Sequence, residues 1–125
     1  IASKSGYTED FINPFSRELN MSEAETEQKI VAAGLNAPRL SPAALDAEIK
    51  SVEYVKHITH SGQVLRWCVI NTHCGFSITG SPSASVSPEN DNQVIGENVA
   101  YENARREMWP LLGYALKERL HLDSM

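Results

Sequence analysis

Residues 75–120 read GFSITGSPSASV over 75–86, SPENDNQ over 87–93 and VIGENVAYENARREMWPLLGYALKERL over 94–120. A short strand with a small-residue tail passes through a polar loop into a long helix. Asp91 or Asn92 suits the N-cap, because either side chain can accept an orphan backbone N–H. The helix is expected over 93–109, roughly 25 Å at 1.5 Å per residue. Pro110 lacks the N–H and crowds the preceding turn, so a kink or break is expected there. A second helical piece follows over 111–120, with Lys117 and Arg119 near its C-terminus, where the dipole favours cations.

On a helical wheel, Val94, Ala100, Tyr101, Ala104, Met108 and Leu111 share one broad apolar face, with Glu97 as a polar defect in it. Gly96, Ala100 and Ala104 recur every four residues along one edge, which suits close packing. Ile95 and Val99 fall nearly opposite, beside Glu102 and Arg106. This second patch asks for another partner, either a further subunit or the N-terminal helix.

Upstream, SVEYVKHIT and VLRWCVINT flank a Ser61-Gly62 turn and read as a hairpin. A two-residue turn pairs Ile58 with Leu65, Lys56 with Trp67 and Tyr54 with Val69, and this face is expected to meet the helix. His57 with Arg66, Val55 with Cys68 and Glu53 with Ile70 form the other face. Residues 73–75 make a second turn into a third strand that holds Phe76 and Ile78 and can extend to Ala84 and Val86. Two short helices precede the hairpin. One spans 22–33, with Ser22 before early carboxylates and Gly34 as its stop. The other spans 42–50, with Ser41 as cap and Pro42 in the first turn. The expected fold is therefore α+β: a small antiparallel three-stranded meander against a long, Pro-interrupted C-terminal helix, with short N-terminal helices. Residues 1 to 20 are polar with scattered Tyr7, Phe11 and Phe15, and read as an extension, a fusion scar or a docking arm. Met21 looks like a natural start, so the expected domain is 21–125.

The chain has 125 residues and a formal net charge of -5, which bounds it to one domain with a single core. The acidic balance argues against a grip on duplex nucleic acid, which needs an excess of Lys and Arg. No segment approaches the roughly 20 apolar residues of a membrane span. Two cysteines, Cys68 and Cys74, make no disulfide framework, so a reducing cytoplasm is expected.

No catalytic motif is present. GSPSAS lacks the lysine of a phosphate-binding P-loop, and no G-x-G-x-x-G occurs. His57, His60, His73 and Cys74 fall at opposite ends of the hairpin and read as surface residues rather than zinc ligands. Cys68 reads as an inert core thiol, and Ser81, Ser83, Ser85 and Ser87 as turn and strand-edge residues. Neither a metal nor a cofactor is expected. Arg106 follows Glu102 by four and Arg105 follows Tyr101 by four, so an ion pair and ring stacking explain each alone. Taken together, Phe76, Asn90, Asn92, Tyr101, Arg105, Arg106 and Arg66 have the composition of an aromatic-plus-arginine pocket for a purine nucleotide with phosphates.

The runs LNAPRLSP, CVI-x4-GF-x-ITG, PEN, IGENVAYENA and WPLLGYALKERL resemble a family of small proteins of short tailed phages, the N4/Sf6 type, over residues 35 to 121. The family often has Asn where this chain has Cys74, and Cys where it has Ser85. The family looks related to anti-Thoeris sponges, which bind cyclic ADP-ribose immune signals without cleaving them, in pockets between subunits. The resemblance implies a non-enzymatic, homo-oligomeric phage anti-defence protein in the host cytoplasm that sequesters a small anionic nucleotide-type ligand. The alternative it leaves is a phage accessory protein that captures a host protein and no small ligand.

Overall fold

The computed structural model describes residues 22–125; the extension expected over residues 1 to 20 and the start at Met21 lie outside the described residues. Helix α1 (Glu23–Ala32) begins at a reciprocal cap. The Ser22 hydroxyl accepts the Glu25 N–H at 3.1 Å, and the Glu25 carboxylate accepts the Ser22 N–H at 3.0 Å. Helix α2 (Pro42–Glu48) is capped by Ser41, whose hydroxyl accepts the Ala44 N–H at 3.1 Å. It stops before the expected Lys50 because Ile49 turns to extended backbone and opens strand β1 (Ile49–Ile58) directly. Strands β2 (Val64–Thr72), β3 (Ser77–Thr79) and β4 (Ser83–Ser85) follow, then a 3-10 turn at Pro88–Asn90 and helix α3 (Gln93–Asp123). The fold is α+β, as expected.

The sheet is antiparallel, with β1 on one side of β2 and both β3 and β4 on the other. The third lane of the meander is thus split. β3 pairs residues 69–71 with 77–79, whereas β4 pairs 64–66 with 83–85, one step out of register. Gly80 lies in the gap and presses on α3: a Cβ there would sit 2.5 Å from the Asn103 carbonyl oxygen and 2.8 Å from the Ala104 nitrogen. Only a residue with no side chain allows that approach.

The hairpin departs from the expected register by one residue. Tyr54 opposes Cys68, Lys56 opposes Arg66 and Ile58 opposes Val64. The cause is the turn, which uses three residues rather than two. The Gly62 N–H bonds the Thr59 carbonyl at 2.9 Å, the Thr59 hydroxyl accepts the Gln63 N–H at 3.0 Å, and Gly62 sits at φ +93°. That is the three-residue hairpin with a left-handed final residue. A one-residue slip exchanges faces along a strand. The face meeting the helix therefore carries Val64, Arg66, Cys68, Ile70 and Thr72, all buried, while Leu65, Trp67 and Val69 point away and are half-buried.

Helix α3 lies over β2, β3 and β4 and hardly touches β1. At 31 residues it is one helix from Gln93 to Asp123 with Pro110 inside it, so of the expected kink or break the break does not occur. Its buried residues are Gly96, Val99, Ala100, Asn103, Ala104, Arg105 and Met108. This corrects the wheel. Val99 is core rather than part of an outer patch, while Val94 and Leu111, assigned to the main face, are exposed. The polar Asn103 fits the buried face because its amide donates to the Ser81 carbonyl at 3.0 Å. The core joins Leu45, Cys68, Ile70, Ile78, Ala100, Ala104 and Met108, with Ile49, Tyr101, Trp109 and Leu112 around it. Fully burying a Leu, Ile or Met side chain contributes about 1.5–3 kcal/mol. The further partner of α3 is the pair of N-terminal helices, reached through a stripe of Tyr101, Arg105 and Trp109 rather than through Ile95 and Val99.

Candidate functional site

Where α1, α2 and α3 meet, Arg105 is tied on every side. Its Nε and Nη2 donate to the two Glu23 carboxylate oxygens at 2.8 Å each, and its Nη1 donates to Asp46 at 2.7 Å and to the Tyr101 hydroxyl at 3.1 Å. The Trp109 indole N–H adds a bond to Glu23 at 3.1 Å. The Glu23 carboxylate, and then Asp46, hold the guanidinium proton more tightly than usual, although burial works against it. A fork geometry that satisfies a carboxylate with two parallel bonds is what favours Arg over Lys here.

This knot forms part of the lining of a cleft of about 650 Å³, in which Glu23, Asp46 and Arg105 are joined by Ala24, Pro42, Tyr101 and Trp109, with Glu102 and Arg106 beside them. The volume falls within the few hundred to about 1,000 Å³ usual for small-molecule sites. Desolvation, and then the Glu23 charge, push the Glu102 carboxyl up from its ordinary value. Arg106 reaches the Asn103 amide oxygen at 3.5 Å. On the other side of Glu23, Pro42 and Trp109 is a smaller hollow of about 250 Å³, edged by the bidentate Arg39–Glu27 pair at 2.7 Å.

The residues expected to form one pocket fall into three places. Tyr101, Arg105 and Arg106 share the cleft. Phe76 is 57% exposed and belongs to a separate open groove of about 570 Å³ with Pro110, Leu111 and Tyr114. Arg66, Asn90 and Asn92 gather at the start of α3. There Arg66 is buried in an ion pair with Asp91, and the Asn92 amide oxygen caps α3 by accepting the Ile95 N–H at 3.0 Å. Asn90 is exposed in the 3-10 turn. The Arg66 Nε and Asp91 Oδ1 are buried without a hydrogen-bond partner among the described residues.

Sequence reasoning missed Glu23, Asp46, Glu102 and Trp109 as cleft residues. The spacing of four between Tyr101, Arg105 and Trp109 was the available signal. What it lacked was the distant carboxylates that give the stripe its meaning.

The other weighed residues are scattered. Cys68 is buried opposite Tyr54, and burial pushes its thiol up to about 11 and the Tyr54 hydroxyl up to about 12. The Thr72 hydroxyl holds the exposed Cys74 thiol below its usual value. Ser83 and Ser85 are buried under α3, and Glu97 is half-buried, accepting from Gln93 at 3.2 Å. Among the described residues, no group of three or more His, Cys, Asp or Glu side chains is placed to hold a metal, and no helix is long and apolar enough to cross a membrane.

No curated protein and no solved structure matches the chain. A family model does match, over residues 40–120, which takes in α2, the whole sheet and α3 almost to its end. That span is more than half of the chain, so the protein belongs to the phage protein (N4 Gp49/phage Sf6 gene 66) family.

Proposed function

We propose that this phage protein binds a cyclic ADP-ribose or cyclic nucleotide immune signal and sequesters it without cleaving it, as a homo-oligomer in the host cytoplasm. The observation that carries the reading is the cleft of about 650 Å³ with two rings, Tyr101 and Trp109, on its wall and Arg106 at its rim. Rings stack on a purine, and a rim guanidinium meets a phosphate. Arg105 has a different part. Already bonded to two carboxylates, it braces the wall instead of meeting the ligand. Sequestration needs affinity and slow release rather than turnover, so the site needs no acid–base pair.

The test is calorimetry with a cyclic ADP-ribose isomer, followed by chromatography of the released ligand. Binding at micromolar protein with chemically unchanged ligand is expected. Arg106→Ala should weaken it at least tenfold, and Phe76→Ala should leave it unchanged. Absence of heat, or a cleaved ligand, sinks the reading.

A second reading, capture of a host protein with no small ligand, is favoured by a different observation. Phe76, Leu111 and Tyr114 expose 57%, 41% and 71% of their surfaces in one open groove. Tyr114→Glu is the informative change: it should abolish capture of the partner and leave nucleotide binding untouched.

A further inference from the structure

Strand β1 forms one edge of the sheet, and its outer side pairs with nothing among the described residues. It is ten residues long, and every residue after Ile49 is exposed. Its single irregularity lies at its start, between Ile49 and Ser51. Because α3 stops short of it, β1 shows apolar side chains on both faces: Val52, Tyr54 and Ile58 on the helix side, Val55 on the other. Natural edges of this length are normally shortened, bulged, interrupted by Pro or covered, because a row of free N–H and C=O groups templates pairing with another chain. The stretch 51–58 has none of these devices. Lys50 and Lys56 are the only cations of β1 and its one guard against edge pairing, and they leave the question of which partner fits.

We propose that the outer edge of β1 pairs antiparallel with β1 of a second copy of this chain, about a two-fold axis at Val55, joining two sheets into one. The choice of occupant rests on the charge pattern of β1 itself. A two-fold axis normal to the sheet makes each contact occur twice and keeps each face continuous. Centred on Val55, it sets Glu53 opposite His57 and Val55 opposite Val55 on the outer face. On the helix side it sets Val52 opposite Ile58 and Tyr54 opposite Lys56. Acid meets imidazole, apolar meets apolar, and an ammonium meets a ring. Centred on Glu53, the same strand would oppose Glu53 to Glu53 and Lys50 to Lys56. Centred on Lys56, it would oppose two ammonium groups. Centred on Tyr54, it would pair Glu53 with Val55 and Val52 with Lys56. Like charges directly opposite are destabilising, and the Tyr54 register sets a charge against an apolar side chain twice on each side of its axis, so among registers centred on residues 53–56 the sequence of β1 favours Val55 for its own copy. The Glu53 carboxylate accepts from the Asn71 amide of β2 at 2.7 Å, a bond the proposed pairing must share or replace.

This inference rests on the part of the functional reading that expects more than one subunit, and it names the surface. The experiment is light scattering on a sizing column across a micromolar concentration series without ligand. The wild-type chain should run at twice its 13.8 kDa mass. Glu53→Lys and His57→Glu should each raise the dissociation constant at least tenfold, and the double variant E53K/H57E should recover the wild-type value, since it exchanges the partners. Val55→Lys should give a monomer with an unchanged circular dichroism spectrum, because Val55 is half exposed in the single chain. A wild-type monomer would sink both this surface and the expectation of an oligomer. An oligomer indifferent to all of these changes would sink the surface alone.

Discussion

Before Pro110, α3 buries Gly96, Val99, Ala100, Asn103, Ala104, Arg105 and Met108; after it, the same helix buries no residue at all. The first half is a wall of the core, gripped by the sheet on one side and by α1 and α2 on the other. The second half runs on past the sheet with only Leu112, Gly113, Leu116 and Leu120 partly covered. Tertiary contacts hold the first half, where intrinsic propensity counts for little. The second relies on its own hydrogen bonds, and there propensity decides. Pro110 sits at the join. It removes the bond to the Arg106 carbonyl at the point where the core no longer needs the backbone to be ideal.

The largest break in this contrast comes from Gly80→Ala. The added methyl would meet the Asn103 and Ala104 backbone at 2.5–2.8 Å, and backbone cannot step aside as a side chain can. The sheet must move off the first half of α3, at a cost of about 3 kcal/mol, the upper end for overpacking. Urea denaturation reads the loss directly. A change below about 1 kcal/mol would mean that the strand gap at Gly80 is soft and the first half is less tightly gripped than its contacts imply.

How far this was visible in the sequence divides along the same line. Ser22 with Glu25, Ser41 with Pro42, and Asn92 announced three helix starts, because capping is local chemistry. The run of strand-forming residues over 64–72 beside a Ser-Gly turn announced β2, again from local residue types. The register of the hairpin was not legible. It hangs on whether Gly62 closes a two-residue turn or ends a three-residue one, and the Thr59 hydroxyl that settles it belongs to one ordinary residue just past the end of β1. The phase of α3 was lost because two partners approach it from different sides. Tyr101, grouped with Val94 and Leu111, therefore drew the apolar stripe away from Val99, and Asn103 looked polar until the Ser81 carbonyl supplied its bond. The site suffered most. Arg105 looked available for a phosphate because Glu23, 82 residues away in sequence, leaves no local trace.

A middle-sized effect is expected at that residue. Arg105→Met strips Glu23 and Asp46 of their shared cation and unties α1 from the first half. Breaking a fully buried pair costs about 3–5 kcal/mol, but the Glu23 and Asp46 side chains are 36% and 63% exposed, so about 2 kcal/mol is expected here. Arg105→Lys should recover only part, because one ammonium cannot span both Glu23 oxygens. Thermal melts of the pair check it, and full rescue by Lys would mean that charge alone, without the fork, holds α1 in place.

Gly113→Ala is the counterpart to Gly80→Ala and carries the opposite sign. Nothing lies within 4 Å of the new methyl, so the change only removes backbone freedom from a helical position, with an expected gain of about 0.5–1 kcal/mol. The same substitution therefore destabilises against the first half and stabilises within the second. A loss at Gly113 in the melting curve would show that the second half has a packing partner.

The smallest effect comes from Glu102, at the cleft rim on the first half. Desolvation and the neighbouring Glu23 raise its carboxyl above the ordinary 4.5, so the folded chain binds this proton more tightly than the unfolded chain does. Stability from that proton is fully present below the ordinary value and fades as pH rises through the raised one. At neutral pH the charged form is thus a slight burden on the fold. Glu102→Gln should raise stability at pH 7, read as a higher melting temperature, by less than about 0.5 kcal/mol because the side chain keeps contact with water. The gain should vanish below pH 4, where both chains carry a neutral group. A gain that persists at pH 3.5 would assign the effect to packing of the amide. A loss at pH 7 would mean that the Glu102 charge supports the rim, with Arg105 and Arg106, three and four residues along, as its sources of compensation.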